Sequence, residues 1–140
     1  MIILDTDVLS IVQRADGREY EKLVSSLDAA DDEVAVSIIS FEEQMRGWLA
    51  FIARGKSTND QIRGYGYLHA LLDDFATRPV LDFDRRCASE FEGLIRAKVR
   101  IGTMDLKIAA IAIAHDALLL SKNLIDFRKV PGLRVDDWSN

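Results

Sequence analysis

The residues able to do chemistry in this chain are mostly acids: Asp5 and Asp7, Glu42 and Glu43, Asp105, and Asp126. They are scattered in sequence, yet each falls where a short apolar run gives way to a helical pattern, or in a helix's first turn. Carboxylates gathered together repel one another and raise each other's pKa unless a cation lies among them. A hard divalent ion, Mg²⁺ or Mn²⁺, takes oxygen ligands and keeps several waters. An all-oxygen site of that kind suits phosphate chemistry. Nitrogen and sulfur donors are few, since His69, His115 and the lone Cys87 have no zinc spacing. Arg96, Lys98 and Arg100 stand just before Asp105, while Lys107 and Lys122 lie near other acids; a cationic rim of this sort suits a polyanionic substrate.

Each of these residues also has a plainer role open to it. Ser40-Phe41-Glu42-Glu43 fits a capping box, in which Glu43 reaches back to a backbone N–H. Asn123 and Asp126 form a similar pair. Asp105 would favour its helix dipole, Asp7 is a good N-cap type, and the basic residues suit a solvated surface. The joint pattern points further: neither the tip of a central strand nor the mouth of a buried helix needs an Asp.

The elements that would position these acids follow from periodicity. Ile2-Ile3-Leu4 reads as a buried, central, parallel strand. Thr6 or Asp7 then caps a helix that begins with Val8-Leu9 and Ile11-Val12. A second helix is expected from Glu19 to Ala29 and a strand at Val34 to Val36. Ser40 opens a helix to about Ala53. Asp60 to Ala76 is expected to be helical and to carry Ile62, Tyr65, Leu68, Leu72 and Phe75. Val80-Leu81 is a third strand, and a helix begins at Asp84. Thr103 caps a nearly all-apolar helix, Met104 to Ala114, which must be buried. Ala117 to Leu120 is a fourth strand, Asn123 to Phe127 a helical turn and Leu133 to Val135 a last strand. Strands alternating with helices predict an α/β/α sandwich, Rossmann-like, with a mostly parallel sheet of four to five short strands. In such sheets sites gather beyond the carboxyl ends of the strands.

Composition bounds the rest. The 140 residues are 49% hydrophobic and 29% charged, which fits one domain spanning residues 1–140. A formal net charge of −5 argues against a nonspecific nucleic-acid coat, but not against an enzyme that grips a backbone locally. The opening residues do not resemble a signal peptide, and no apolar stretch approaches the roughly 20 residues of a bilayer span. A single cysteine suits a reducing cytoplasm.

Four segments, in order, carry a resemblance. Ile3-Leu4-Asp5-Thr6-Asp7-Val8-Leu9, the stretch Ser37 to Trp48, Gly102-Thr103-Met104-Asp105 through Ala110, and Leu120 through Phe127 resemble the motifs of the PIN-domain family. Val130-Pro131-Gly132-Leu133 and Asp137-Trp138 resemble its tail. Within the family the likeness is to the VapC-type toxins of bacterial toxin–antitoxin pairs. That resemblance implies a ribonuclease dependent on Mg²⁺ or Mn²⁺, with Asp5, Glu43, Asp105 and Asp126 as catalytic and metal-holding acids. Glu43 is preferred to Glu42 because it falls four residues before Gly47, as in the family. The implied substrate is RNA, tRNA among the classes open to it; the implied partners are a VapB-like antitoxin and a second copy of the chain. There are two departures from the pattern. Position 7 is Asp where the family more often has Asn or Ser, which makes Asp7 a secondary candidate. Ser121-Lys122-Asn123 replaces a Thr-x-Asn or Thr-x-Asp, so Ser121 and Asn123 join it, with Lys107, and the fourth site residue is either Asn123 or Asp126.

In-line attack by a metal-activated water would leave a 5′-phosphate and a 3′-hydroxyl. The 2′-OH route generally needs a His base, and neither histidine falls in a motif. Two other functions fit less of the chain. Asp5-Thr6-Asp7-Val8 also resembles the opening of haloacid-dehalogenase-type phosphatases, with Lys122 and Asp136-Asp137 as the remaining parts. A catalytically silent partner-binding module would leave every acid as a helix cap.

Overall fold

The computed structural model describes residues 1–140. The elements alternate as expected: β1 (Ile2–Leu4), α1 (Thr6–Arg14), α2 (Gly17–Ala30), β2 (Val34–Ser37), α3 (Ile38–Arg54), α4 (Thr58–Ala76), β3 (Val80–Leu81), α5 (Arg85–Arg96), α6 (Thr103–Ala114), β4 (Leu118–Leu120), α7 (Leu124–Phe127) and β5 (Arg134–Asp136). The five strands form one sheet in the order β3-β2-β1-β4-β5. Every pairing is parallel, with Ile2 opposite both Val34 and Leu118. The chain winds outward from β1 to β3 and then returns to β1's other side. Strand order therefore reverses between β1 and β4, and a crevice opens there beyond the carboxyl ends.

Successive side chains of a strand face opposite layers, and the core divides accordingly. Ile3 and Leu119 meet the α5 and α6 layer, with Cys87, Leu94 and Ile108. Ile2, Leu4 and Leu120 meet the α1, α2 and α4 layer, with Leu9, Leu23 and Phe75. α6 is apolar on nearly every side, and Leu106 and Ile108 through Ala112 are all buried. No helix is long and apolar enough to cross a membrane.

Several expected details shift. The cap of α1 is Asp5, not Thr6 or Asp7. α3 starts at Ile38 and is capped by Ser37, whose hydroxyl accepts the Ser40 N–H, so the Ser40–Glu43 capping box is not formed. Gly102, not Thr103, caps α6. The helix expected from Asp60 to Ala76 forms as α4, but not all of its large apolar residues are buried. Ile62, Tyr65 and Leu72 are exposed, and Gly64, Leu71 and Phe75 are buried. The reason is close helix packing: α3 runs so near α4 that a Cβ on Gly64 would stand 2.5 Å from Ile52 Cγ1 and 3.2 Å from Phe51 Cδ1.

Two glycines of α4 thus predict opposite outcomes. Gly64→Ala, which overpacks the α3–α4 contact, is expected to destabilise the protein by about 1–3 kcal/mol. Gly66→Ala, where a Cβ meets nothing within 4 Å, is expected to stabilise it by about 0.5–1 kcal/mol through helix propensity. Thermal or urea unfolding of both variants checks the pair.

Candidate active site

The crevice at the switch point is built on Asp5. It ends the central strand, and its backbone N–H is bonded to the Leu120 carbonyl at 2.9 Å, tying β1's tip to β4's. As the α1 cap it accepts the Thr6 N–H at Oδ1, 2.8 Å away. Its Oδ2 accepts the Ser121 hydroxyl at 2.7 Å. Ser121 is fully buried, and its oxygen accepts the Asn123 N–H at 2.9 Å. Asp5 is only 5% exposed. Burial first, and then the charge of Asp7, push its carboxyl up to about 7, against the opposing donors Ser121 and Thr6; Asp105 adds a smaller push.

Asp105 enters from the first turn of α6. Burial raises its pKa, followed by the charges of Glu43, Asp126 and Asp7. Asp105 thus feels acids from three other helices, α3, α7 and α1. Glu43, one turn into α3, faces the same crevice: its Oε1 accepts the Thr6 hydroxyl at 2.7 Å, and that hydroxyl also lies 2.9 Å from Ser40 Oγ. Glu42 instead pairs with Arg46 along the helix, at 2.6 Å. Asp7 presents Oδ2 to the Lys122 N–H at 3.1 Å, while its Oδ1 is buried without a partner. Asp126 stands at the rim. Asn123 Nδ2 donates to it at 3.0 Å and Lys129 pairs with it at 3.3 Å, and these two hold its carboxyl below the usual range.

The acids therefore share one crevice. As placed, no three of the Asp, Glu, His and Cys side chains stand close enough to chelate one ion. Like charges repel; Thr6 binds Glu43, and Lys129 pairs with Asp126. The donor set still fits a hard divalent cation. It is all oxygen, Asp7 Oδ1 is an orphaned buried acceptor, and Asp5, Asp7, Glu43 and Asp105 have no Lys, Arg or His partner.

Other expected residues sit apart. The Lys107 ammonium lies over the rings of Phe83 and Phe91, 5.9 and 6.0 Å from their centroids. Lys122 pairs through its side chain with Glu19 of α2. His69 pairs with Asp73 on α4, and His115 caps the far end of α6. Thr6 and Ser40 were read from sequence only as cap types; that Thr6 lies between two candidate acids was the available signal for its place beside Glu43.

Fold and crevice define a Rossmann-like α/β protein with an acidic centre where the strand order reverses. A family model described as PIN domain matches residues 2–133, and the chain belongs to that family. Ribonuclease VapC2 of Rickettsia felis is 27% identical over 143 residues, covering 97% of this chain and 96% of that protein. The tRNA(fMet)-specific endonuclease VapC of Salmonella typhimurium is 33% identical over 75 residues, covering 49% of this chain and 56% of the relative. The crystal structure of VapBC2 from Rickettsia felis, bound to a DNA fragment from the promoter, superposes with a TM-score of 0.71 at 26% identity, covering 99% of both chains. FitAcB from Neisseria gonorrhoeae gives a TM-score of 0.67 at 26% identity over 98% of this chain and 97% of that one.

The Asp5 carboxyl makes the metal-free protein's stability pH-dependent. Its value in the fold is about 7, against 3.8 when unperturbed. Below the lower value both states carry the proton and nothing is lost. As pH rises toward the upper value only the unfolded state ionises, so stability falls; it then levels off. In EDTA, Asp5→Asn is expected to be more stable than the parent, by an increment that grows from pH 4 to pH 7 to at most about 4 kcal/mol. Urea unfolding across that range tests it; an increment independent of pH would contradict the assignment.

Proposed function

We propose that this chain is a divalent-metal-dependent endoribonuclease, Mg²⁺ or Mn²⁺ being the ion, and the toxin of a VapBC-type toxin–antitoxin pair. One observation carries the chemistry: acids converge at the switch point, and Asp5, Asp7, Glu43 and Asp105 have no cationic side chain to neutralise them. The full-length similarity to a VapC ribonuclease supports the RNA substrate.

In this reading Asp5, Glu43 and Asp105 hold the ion, and Asp126 completes the site. When bound, the ion would lower the pKa of a water and offset charge on the scissile phosphate. The protein's own contribution is positioning. The Thr6 hydroxyl aims Glu43. Ser121, fixed by the Asn123 N–H, orients Asp5. Asn123 also steers Asp126 through its amide. Arg96, Lys98 and Arg100 are exposed just before α6, where they can attract an RNA backbone. Neither histidine reaches the acids, which disfavours a 2′-OH route with a His base. The phosphatase alternative finds little support, because Asp136 accepts from Trp138 and Asp137 from Ser139 at the chain's end.

The antitoxin has a fitting seat. A groove of about 790 Å³ runs between α1, α3 and α4, lined by Trp48, Phe51 and Tyr67 with Arg14 and Arg54. It begins at Ser10, one turn past Thr6, and at Gln44, next to Glu43. A peptide lying in it would end at the acids. A homodimer is the assembly we expect of the free toxin.

Cleavage of total RNA by the purified protein tests this reading. Discrete fragments are expected with Mg²⁺ or Mn²⁺ and none in EDTA. Asp105 accepts no protein hydrogen bond, so Asp105→Asn should fold normally and cut at least about a hundredfold more slowly. No cleavage with either ion, or an undiminished Asp105→Asn, would favour the silent binding module.

A further inference from the structure

We propose that the groove between α1, α3 and α4 selects its antitoxin segment by charge as well as by apolar contact. A carboxylate of that segment pairs with Arg14 and Arg54, beyond apolar side chains seated against Trp48, Phe51 and Tyr67. Most polar groups of the groove are already satisfied within the protein. Gln13 and Gln44 exchange amide hydrogen bonds at 2.9 and 2.7 Å. Ser10 donates to the Thr6 carbonyl at 2.9 Å. Asp74, the groove's one acid, accepts from Gln13 at 3.0 Å and from Arg78 through two bonds of 2.8 and 2.9 Å. Arg14 and Arg54 differ. Both are exposed, and neither guanidinium has a carboxylate partner. Arg54 lies only against the Phe51 ring, 5.4 Å from its centroid. In a chain of net charge −5, the groove is thus a local cationic surface.

The two arginines are the last residues of α1 and α3, helices that both start at the acids. They therefore stand roughly 12 to 16 Å along those helices from Thr6 and Glu43. A cation at a helix's carboxyl end also complements the dipole. The dipole accounts for each arginine alone, but not for two from different helices bordering one apolar groove. The rings favour a peptide over RNA. Base stacking needs open ring faces. Trp48 and Tyr67 already stack on each other at 4.5 Å, and Phe51 packs steeply against both, at 76° and 87°. Arg54 takes a face of Phe51 as well. What the rings leave open suits apolar side chains, and the guanidiniums match a carboxylate as a fork.

The proposal rests on the toxin–antitoxin reading, and the test separates the two. Displayed random peptides of about twelve residues, enough to span the groove as a helix, are selected on the intact chain in EDTA. Recovered peptides are resynthesised with each acid as Glu, Gln or Lys, and binding is followed by fluorescence anisotropy. We expect apolar peptides that carry an acid. Replacing that acid by Gln should weaken binding about tenfold, and by Lys further, as should Arg14→Gln combined with Arg54→Gln. Circular dichroism verifies the fold of that variant, and the peptide changes need no variant at all. Peptide and protein changes made together should cost little more than either alone, because both remove one interaction. Recovery of no peptide, recovery of peptides without acids, or losses that simply add would overturn the proposal. So would a uridine oligonucleotide whose binding falls in the arginine variant while the peptides' does not; the groove would then carry RNA. Cleavage of RNA by the parent is scored separately. If the peptides obey the charge rule and no RNA is cut with Mg²⁺ or Mn²⁺, the nuclease reading falls and the groove assignment stands.

Discussion

A carboxyl group almost wholly withdrawn from water at the tip of the central strand is the constraint to which the rest of the structure answers. Burying an ionised Asp is costly unless donors and counter-charge compensate. Thr6 and Ser121 supply the donors for Asp5, and they come from opposite sides of the strand-order reversal. Ser121 can serve only because the Asn123 N–H fixes its oxygen, and the β4 tip is itself bonded to the Asp5 backbone. One side chain thus joins β1, α1, β4 and the α7 loop. The counter-charge is what the protein does not provide. Its neighbours are Asp7 and Asp105, which oppose ionisation instead of favouring it. A group so placed, once ionised, reduces the stability of the metal-free fold, and either a proton or a cation supplied from outside relieves it.

Much of this arrangement was legible in the sequence, for identifiable reasons. Ile2-Ile3-Leu4 ends abruptly at an acid, and a continuous apolar run has few homes besides a central parallel strand. The all-apolar α6 could only be buried, so an Asp in its first turn had to lie at the sheet's carboxyl edge. The caps were harder. Thr6, Ser40 and Thr103 are all good N-cap types, yet each helix is capped earlier, by Asp5, Ser37 and Gly102. Capping depends on where the backbone turns extended, and side-chain type alone does not say which of several candidates does so. The error had a consequence for the site. With Ser37 as the cap, Glu43 sits further into α3, released from a capping box, and finds Thr6 on another element.

The face that α4 buries has the opposite origin. Periodicity places large apolar residues inward, as at a helix packed on a sheet. α4 packs against α3 as well as the sheet, and there the closest approach falls at Gly64, a residue that an apolar-period count ignores. The close approach turns Ile62, Tyr65 and Leu72 outward. It also stacks Trp48 on Tyr67, ring centroids 4.5 Å apart, to form one wall of the groove that leads to the acids. A small residue therefore shapes both an apolar surface and the approach to the candidate active site, neither of which hydrophobic patterning could reveal.

The acids do not weigh equally, and the difference bears on the choice between Asn123 and Asp126 as fourth site residue. Asp105 is half-buried, accepts no hydrogen bond from the protein and is pushed up by its neighbours. Asp126 is at the rim, held in its ionised form by Asn123 and Lys129. Asn123 caps α7 with its oxygen, donates its amide to Asp126 and gives its backbone N–H to the Ser121 hydroxyl that holds Asp5. It is thus bonded on one side to the rim acid and on the other to the support of the buried one. Asn123 and Asp126 are hydrogen-bonded to each other, whichever of them is the fourth site residue. A move of Asp126 inward would have to act through the residue that also keeps Asp5 in place. The coupling follows from a three-residue spacing within one turn of α7, a local pattern that a list of acids does not contain.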